Sequence, residues 1–375
     1  MEGYGSFSVP LFRASTIVFD DAESYRTRAG RSPDGYVYGL SGTPTTRTLE
    51  LQLSALHGAV RSIVVPSGQA AITSVMLALL KTGDHVLVAD NCYPPVREFA
   101  KEVLARCGIR VDWFDPTDLV GLEGLIRTGE TRLIWMESPG STTMEVCDIP
   151  AIASLARRRG VLTGCDNTWA SGLFCKPLEL GVDVVAEALT KYAGGHSDIL
   201  LGALSFRDLH LYGLVRRTLS TLGVGVSPDD CWLALRGLET MPLRLRHAGA
   251  IALEFATRLR GVPGVAAVFH PGLPDAVGHR IWQRDFAGSA GVFTVLPTPS
   301  ADGVVDRALD TLQTFAIGAS WGGTRSLVAP MTLSAAREVM PVDRQATYLR
   351  VSIGLEAPDA LWRDLEVMCR TIAAG

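Results

Sequence analysis

Lysine is scarce in this 375-residue sequence: only Lys81, Lys101, Lys176 and Lys191 occur, and every other basic side chain is an arginine. Chemistry that needs a primary amine therefore has few places to happen. Positive charge is also in short supply. The net charge of −4 argues against a nucleic-acid footprint, which requires clustered cations. No apolar run is long enough to span a bilayer; the longest lies near residues 70–80. The seven cysteines, Cys92, Cys107, Cys147, Cys165, Cys175, Cys231 and Cys369, are odd in number and never spaced C-x-x-C. That speaks against a disulfide framework or a metal site and for reduced thiols packed as small hydrophobes. Met1-Glu2-Gly3-Tyr4 begins no basic-then-apolar leader, so a cytoplasmic location is expected. Internal repeats and low-complexity tracts are missing too.

What is present is the composition of a globular protein, 47% apolar, in a chain too long for one small core. Up to Tyr38 no long periodic element occurs; the segment reads as an extended arm with turns at Pro10 and Ser32-Pro33-Asp34-Gly35. From Ser67-Gly68 the pattern changes. Ala71, Ile72, Val75, Met76, Leu79 and Leu80 fall at helical spacing, and Gly83-Asp84 ends the run. Strands are then expected at 85–89, 109–114, 132–136, 161–165, 182–186 and 199–206, with helices at 95–106, 119–127 and 150–159 between the first four. This alternation implies an α/β fold with a mostly parallel sheet covered on both faces. Beyond Ser227-Pro228 a long helix at 243–259 and mixed signals to the end imply a smaller α+β domain. The expected division is an arm at 1–42, a main domain at 43–237 and a C-terminal domain at 238–375.

Ligands of such sheets bind beyond the carboxyl ends of the strands. The residues there are Asp90-Asn91-Cys92-Tyr93, Asp166-Asn167-Thr168-Trp169 and Thr190-Lys191-Tyr192, with Ser67-Gly68-Gln69 opening the first helix of the alternation. Taken singly, each has an ordinary explanation: a strand-end Asp is usually a turn former, and Ser-Gly is usually a helix cap. Lys81 and Lys101, near helix ends, fit solvated surface. Lys191 does not, because it follows a long apolar strand. Together these pieces make a site for pyridoxal 5′-phosphate (PLP). Lys191 supplies an amine for covalent attachment and proton abstraction. Asp166 keeps the pyridine nitrogen protonated. Gly68, Gln69 and the Thr190 hydroxyl suit the phosphate, and Tyr93 covers the ring.

These residues also carry a resemblance. Glu137-Ser138-Pro139-Gly140-Ser141-Thr142-Thr143-Met144-Glu145-Val146 resembles a segment of bacterial cystathionine β-lyases. Asp166-Asn167-Thr168-Trp169-Ala170, Thr190-Lys191-Tyr192 and Gly195-His196-Ser197-Asp198 resemble the cofactor motifs of the Cys/Met-metabolism PLP-dependent family. Tyr38-Gly39-Leu40-Ser41-Gly42-Thr43-Pro44-Thr45 is similar to its N-terminal cofactor loop. Ser320-Trp321-Gly322-Gly323 and Leu349-Arg350-Val351-Ser352-Ile353-Gly354-Leu355-Glu356 are similar to its substrate-carboxylate segments. The matches run almost the whole chain in the expected order.

The resemblance implies PLP fold type I with a seven-stranded-type sheet, and a homotetramer built from catalytic dimers; charge and run length, as above, imply no nucleic-acid or membrane partner. Tyr38 would reach the neighbouring subunit's phosphate and share in catalysis with Lys191 and Tyr93. Arg350 would grip the substrate α-carboxylate, with Ser320 and Trp321 beside it. The implied reaction is β-elimination from cystathionine or another cysteine S-conjugate, giving a thiol, pyruvate and ammonia. Alternatives on the same scaffold are γ-elimination or γ-replacement, amino-acid racemisation, and a PLP-binding regulator. Glu98 is a nominee for the distal amino group of the substrate. One departure stands out: relatives often read Tyr-x-Arg in the N-terminal loop, whereas here Tyr38-Gly39 is followed by Leu40.

Overall fold

The computed structural model describes residues 5, 7–31, 33–333, 337–343 and 345–375. Met1–Tyr4, considered for a leader, and Ser32, placed in a turn, lie outside the described residues.

Seven strands form the larger sheet: β1 (Arg61–Val65), β2 (His85–Ala89), β3 (Arg110–Phe114), β4 (Thr131–Glu137), β5 (Leu162–Asp166), β6 (Val184–Glu187) and β7 (Gly202–Phe206). Their order is β1-β7-β6-β5-β4-β2-β3, and only β7 runs against its neighbours. Alternate residues serve opposite faces, as a pleated strand requires. Leu87, Ile134, Met136 and Val185 enter one apolar cluster, while Val86, Val88, Leu133, Trp135 and Val184 enter another. With both faces covered, the strands read as continuous apolar runs, which is why the sequence showed them.

The helix Gly68–Leu79 begins where Ser67 accepts the Ala70 N–H at 3.0 Å. The helix Pro44–His57, which periodicity did not announce, starts in a reciprocal cap between Thr43 and Thr46 and stops at Gly58 in the left-handed region. Its inner face carries Thr45, Thr46, Glu50 and His57 beside Leu49 and Leu53, so its apolar stripe is too broken to read.

A second sheet, in the order β10-β11-β12-β9-β8, contains β8 (Val265–Phe269), β9 (Val292–Pro297), β10 (Ala316–Ile317), β11 (Leu327–Thr332) and β12 (Thr347–Ser352). It packs on the C-terminal helix Pro358–Ala374 and the end of the helix Pro228–Arg258 through Phe255, Phe293, Leu349 and Met368. That 31-residue helix corrects the expected start at 243. Pro242 marks a break in sequence, yet the helix runs through it. The division expected at 237/238 therefore falls inside one helix.

Candidate active site

The carboxyl ends of β2, β4, β5 and β6 lie side by side, and a pocket opens above them. Its lining includes Ser67, Gly68, Gln69, Tyr93, Glu137, Asp166, Thr168, Thr190, Lys191, Trp321 and Arg350. The strand-end residues chosen from sequence are thus brought together with two from the C-terminal domain.

Lys191 sits in the connection between β6 and β7. Thr190 pins that connection: its N–H donates to Leu201 O at 3.0 Å, its hydroxyl donates to the same oxygen at 3.1 Å, and Leu201 N–H donates back to the hydroxyl at 3.0 Å. Thr190 also lines the pocket, as expected of a residue near the phosphate, and its hydroxyl shares Leu201 O with its own N–H. Gly237 of the long helix packs so closely on Ala193 O that a Cβ there would lie 2.1 Å from it. Arg244 donates to Tyr192 O at 2.8 Å, and Gly291 N–H donates to the Tyr192 hydroxyl at 2.8 Å. The lysine is therefore held by a rigid base. Its Nζ donates to Ser320 Oγ at 2.9 Å and stands 5.2 Å from the Trp321 ring centre. Burial, and then the charge of Arg350, draw its pKa down to about 8, against the opposing pull of Asp166.

Arg350, on β12, is a buried cation. Its Nη2 donates to Ala319 O and, at 3.4 Å, to Ser320 O, and its Nε has no partner. It forms no ion pair among the described residues. A buried guanidinium that lacks a counter-ion and also lines a pocket is suited to bind an anion there. The loop carrying Ser320 and Trp321 is anchored from β12's own end. Glu356 accepts Ser326 N–H at 2.9 Å and Ser326 Oγ–H at 2.7 Å, and Gly354 N–H donates to Ser326 Oγ at 2.7 Å. Trp321 packs edge-on against Tyr192 as well as lining the pocket.

Asp166 accepts Thr168 N–H at 2.9 Å, and burial raises its pKa. Glu137, its register partner on β4, was quoted from sequence only as part of a motif. It lines the pocket, accepts Tyr93 N–H at 2.5 Å, and is pushed well above the usual carboxylate range by burial and then by Asp166. Burial likewise raises the Tyr93 phenol, with Arg350 opposing. Gln69 donates to Pro95 O at 3.0 Å, tying the helix start to the turn that carries Tyr93. Ser67, noted in sequence as a cap, also lines the pocket. Tyr38, half-exposed on the arm, does not, and neither does Glu98.

The residues fit PLP. Asp166 is a desolvated carboxylate that a pyridinium N–H would complement. The first turn of the helix Gly68–Leu79 leaves the N–H groups of Gly68 and Gln69 without intrahelical partners, and both residues line the pocket. Lys191 is the only lysine in the lining.

Fold and site together define a PLP-dependent enzyme of fold type I. The family model described as Cys/Met metabolism PLP-dependent enzyme matches residues 1–368, and the chain belongs to that family. It is 40% identical to the cystathionine beta-lyase of Bordetella avium over 97% of this chain and 92% of that one. It is 36% identical to an L-alanine/L-glutamate racemase of Wolbachia pipientis wMel, over 96% of this chain and 92% of that one. Among solved structures, cystathionine gamma synthase from Xanthomonas oryzae pv. oryzae in complex with cystathionine superposes with a TM-score of 0.90 at 29% identity, over 100% and 95% of the two chains. No helix among the described residues is long and apolar enough to cross a membrane.

Proposed function

We propose that this chain is a carbon–sulfur β-lyase that converts cystathionine, or another cysteine S-conjugate, and water into a thiol, pyruvate and ammonia. The observation that carries the reading is the pairing of Lys191 with Arg350 in one pocket: an amine of lowered basicity with a buried cation that has no counter-ion among the described residues. Such a pair suits an α-amino acid held by its carboxylate, with its Cα proton offered to the amine. The cystathionine beta-lyase among the relatives, and the motif at 137–146, favour the β position.

PLP, when bound, supplies the electron sink for the charge that develops at Cα. The chain's residues do the rest. Arg350 binds the carboxylate with the N–H groups left to it and so fixes which Cα bond is broken. Lys191, oriented by Ser320 Oγ, takes the Cα proton at Nζ once its amine is neutral. Asp166 holds the proton on the pyridine nitrogen. Tyr93, whose raised pKa keeps the phenol protonated, gives its proton to the departing sulfur. Tyr38 acts, on this reading, in a neighbouring subunit of a homotetramer.

A product panel tests the proposal. Cystathionine should yield pyruvate and a thiol in equal amounts. Formation of 2-oxobutyrate instead would establish a γ-lyase. D-alanine from L-alanine, with no pyruvate from any thioether, would establish the racemase reading, which the Wolbachia relative favours.

A further inference from the structure

Asp90, the residue after β2, is fully buried. Its carboxylate accepts the N–H groups of Glu338 at 2.8 Å, Val339 at 2.9 Å and Met340 at 2.8 Å, and Arg97 Nη2 at 2.5 Å. This clamp fastens residues 338–340, between β11 and β12, to the carboxyl edge of the larger sheet. Arg337, just before the clamped segment and 2% exposed, reaches the pocket wall from behind. Its Nη2 donates to Ser141 O at 2.6 Å and to Thr143 Oγ1 at 3.0 Å, and Thr143 Oγ1 donates on to Glu145 Oε2 at 2.9 Å. From the other side Asn91 O accepts Ser141 N–H at 2.8 Å.

The wall needs this support. Thr142 and Met144 have φ of 70° and 61°, a region that residues with a Cβ avoid. Such a path persists only where neighbours over-determine it. Ser141, Thr142 and Met144 all line the pocket. The carboxylate, the pyridine nitrogen, the phosphate and the migrating proton are provided for by Arg350, Asp166, Gly68–Gln69 and Lys191. The part of the substrate left for the wall at 139–144 is whatever lies beyond Cβ.

We infer that Arg337 is a positioning residue for substrate selection, holding the 139–144 wall in the shape that receives the substituent on the substrate's sulfur. The inference rests on the β-lyase reading above.

The test uses the full-length, PLP-loaded chain with Arg337→Met, Arg337→Lys and Thr143→Val, the last removing one contact with little change of volume. Amide hydrogen exchange at residues 140–146 should accelerate in Arg337→Met while β2 and β5 keep their protection. For β-elimination from S-substituted cysteines, kcat/KM should fall about tenfold to a hundredfold, chiefly through KM. Exchange of the α-proton of L-alanine in deuterium oxide, which has no substituent for the wall to hold, should change less than about twofold, since the groups that bind and deprotonate it are untouched. Arg337→Lys should restore part of the loss, and Thr143→Val should show a smaller loss of the same pattern. Equal losses for the thioethers and for alanine exchange, or unchanged protection at 140–146, overturn the inference; should Arg337→Met not fold, the same outcomes in Thr143→Val decide it. If the parent chain cleaves no thioether yet exchanges alanine, the substrate reading falls, and the role toward sulfur falls with it whatever the amides do.

Discussion

Two sets of buried charges lie along the same sheet edge, and they are treated in opposite ways. Around Asp90, every formal charge is answered: three backbone N–H groups and Arg97 converge on one carboxylate, and Arg97 also meets Glu338 at 2.9 Å. Those hydrogen bonds keep the Asp90 pKa below its usual value although burial alone would raise it. Around Lys191, charges are left open: Arg350 makes no ion pair among the described residues, burial raises Asp166, and burial depresses the lysine. Desolvation acts on both sets. The difference is whether the fold supplies the partner or leaves the place for a ligand. A satisfied cluster holds domains together, and an unsatisfied one is where binding energy is to be collected.

The largest effect that sharpens this contrast is at Lys191. Lys191→Ala should lower turnover by about 10³-fold or more, since nucleophile and base are lost together. Borohydride reduction of the wild-type holoenzyme should place the cofactor label on the peptide containing Lys191. A label on Lys81, Lys101 or Lys176 would remove the basis of the site.

Next come two substitutions that should behave as opposites. Asp90→Ala strands three N–H groups and Arg97, and should cost roughly 3–5 kcal/mol in denaturant unfolding of the apoprotein. Arg350→Met removes a buried cation that has no counter-ion among the described residues, so apoprotein stability should hold or rise. Its kcat/KM should nevertheless fall about a hundredfold for every α-amino acid accepted, roughly the 3 kcal/mol expected of a charge-assisted contact. If Arg350→Met unfolds as readily as Asp90→Ala, the contrast between the clusters is broken.

A pH experiment probes the same contrast more gently. Only the neutral Lys191 amine reacts with free PLP. The amine is protonated below its pKa, so capture by the apoprotein should speed up as pH rises through about 8 and level off above it. Arg350 disfavours the ammonium, so Arg350→Met should move the midpoint upward. A midpoint near 10.5, the value of an unperturbed lysine, would show that the pocket does not desolvate the amine.

How much of this was legible in the sequence depends on how far apart the interacting residues stand. Lys191, Asp166, Tyr93 and the Ser67–Gln69 turn were readable because each follows or precedes an apolar run within a few residues, and strand ends are where such sheets bind ligands. The seven-strand alternation was visible for the same reason, apart from β1 and the helix before it, whose inner face is half polar. Arg350 and Ser320–Trp321 came from motif resemblance alone; nothing local in β12 announces a pocket. Glu137's place beside Asp166 depends on strand register, and the clamp of Asp90 on residues 338–340 spans about 250 positions of sequence. Thr190's bonds to the backbone of Leu201, eleven positions on, were equally out of reach of a local reading.

The smallest expected effect concerns Leu40, which stands where the resembling N-terminal loop often carries an arginine. Leu40 offers no donor to a phosphate, and Arg47 is the nearest candidate to replace one. In this structure Arg47 is already engaged, with Nη1 2.8 Å from Glu50 Oε2 and Nη2 donating to Ser41 O at 2.7 Å. Arg216 shares both acceptors, lying 3.3 Å from Glu50 Oε1 and bonding Ser41 O. Neither arginine lines the Lys191 pocket. On the proposed reading, phosphate binding then rests on the Gly68 and Gln69 N–H groups at their helix start, a setting that favours an anion by itself, with the Thr190 hydroxyl in the same lining. PLP should then be held less tightly than an added arginine could hold it. Leu40→Arg should slow loss of PLP during dialysis, by up to about tenfold for one charge-assisted contact, and leave kcat nearly unchanged. Leu40 does not line the pocket of its own chain, so on the proposed assembly the contact would cross a subunit boundary and the gain should vanish in a dissociated protomer. Unchanged retention in Leu40→Arg, together with PLP release in Arg47→Ala, would mean that Arg47 leaves Glu50 for the phosphate on assembly, and that its pairing here describes only the isolated chain.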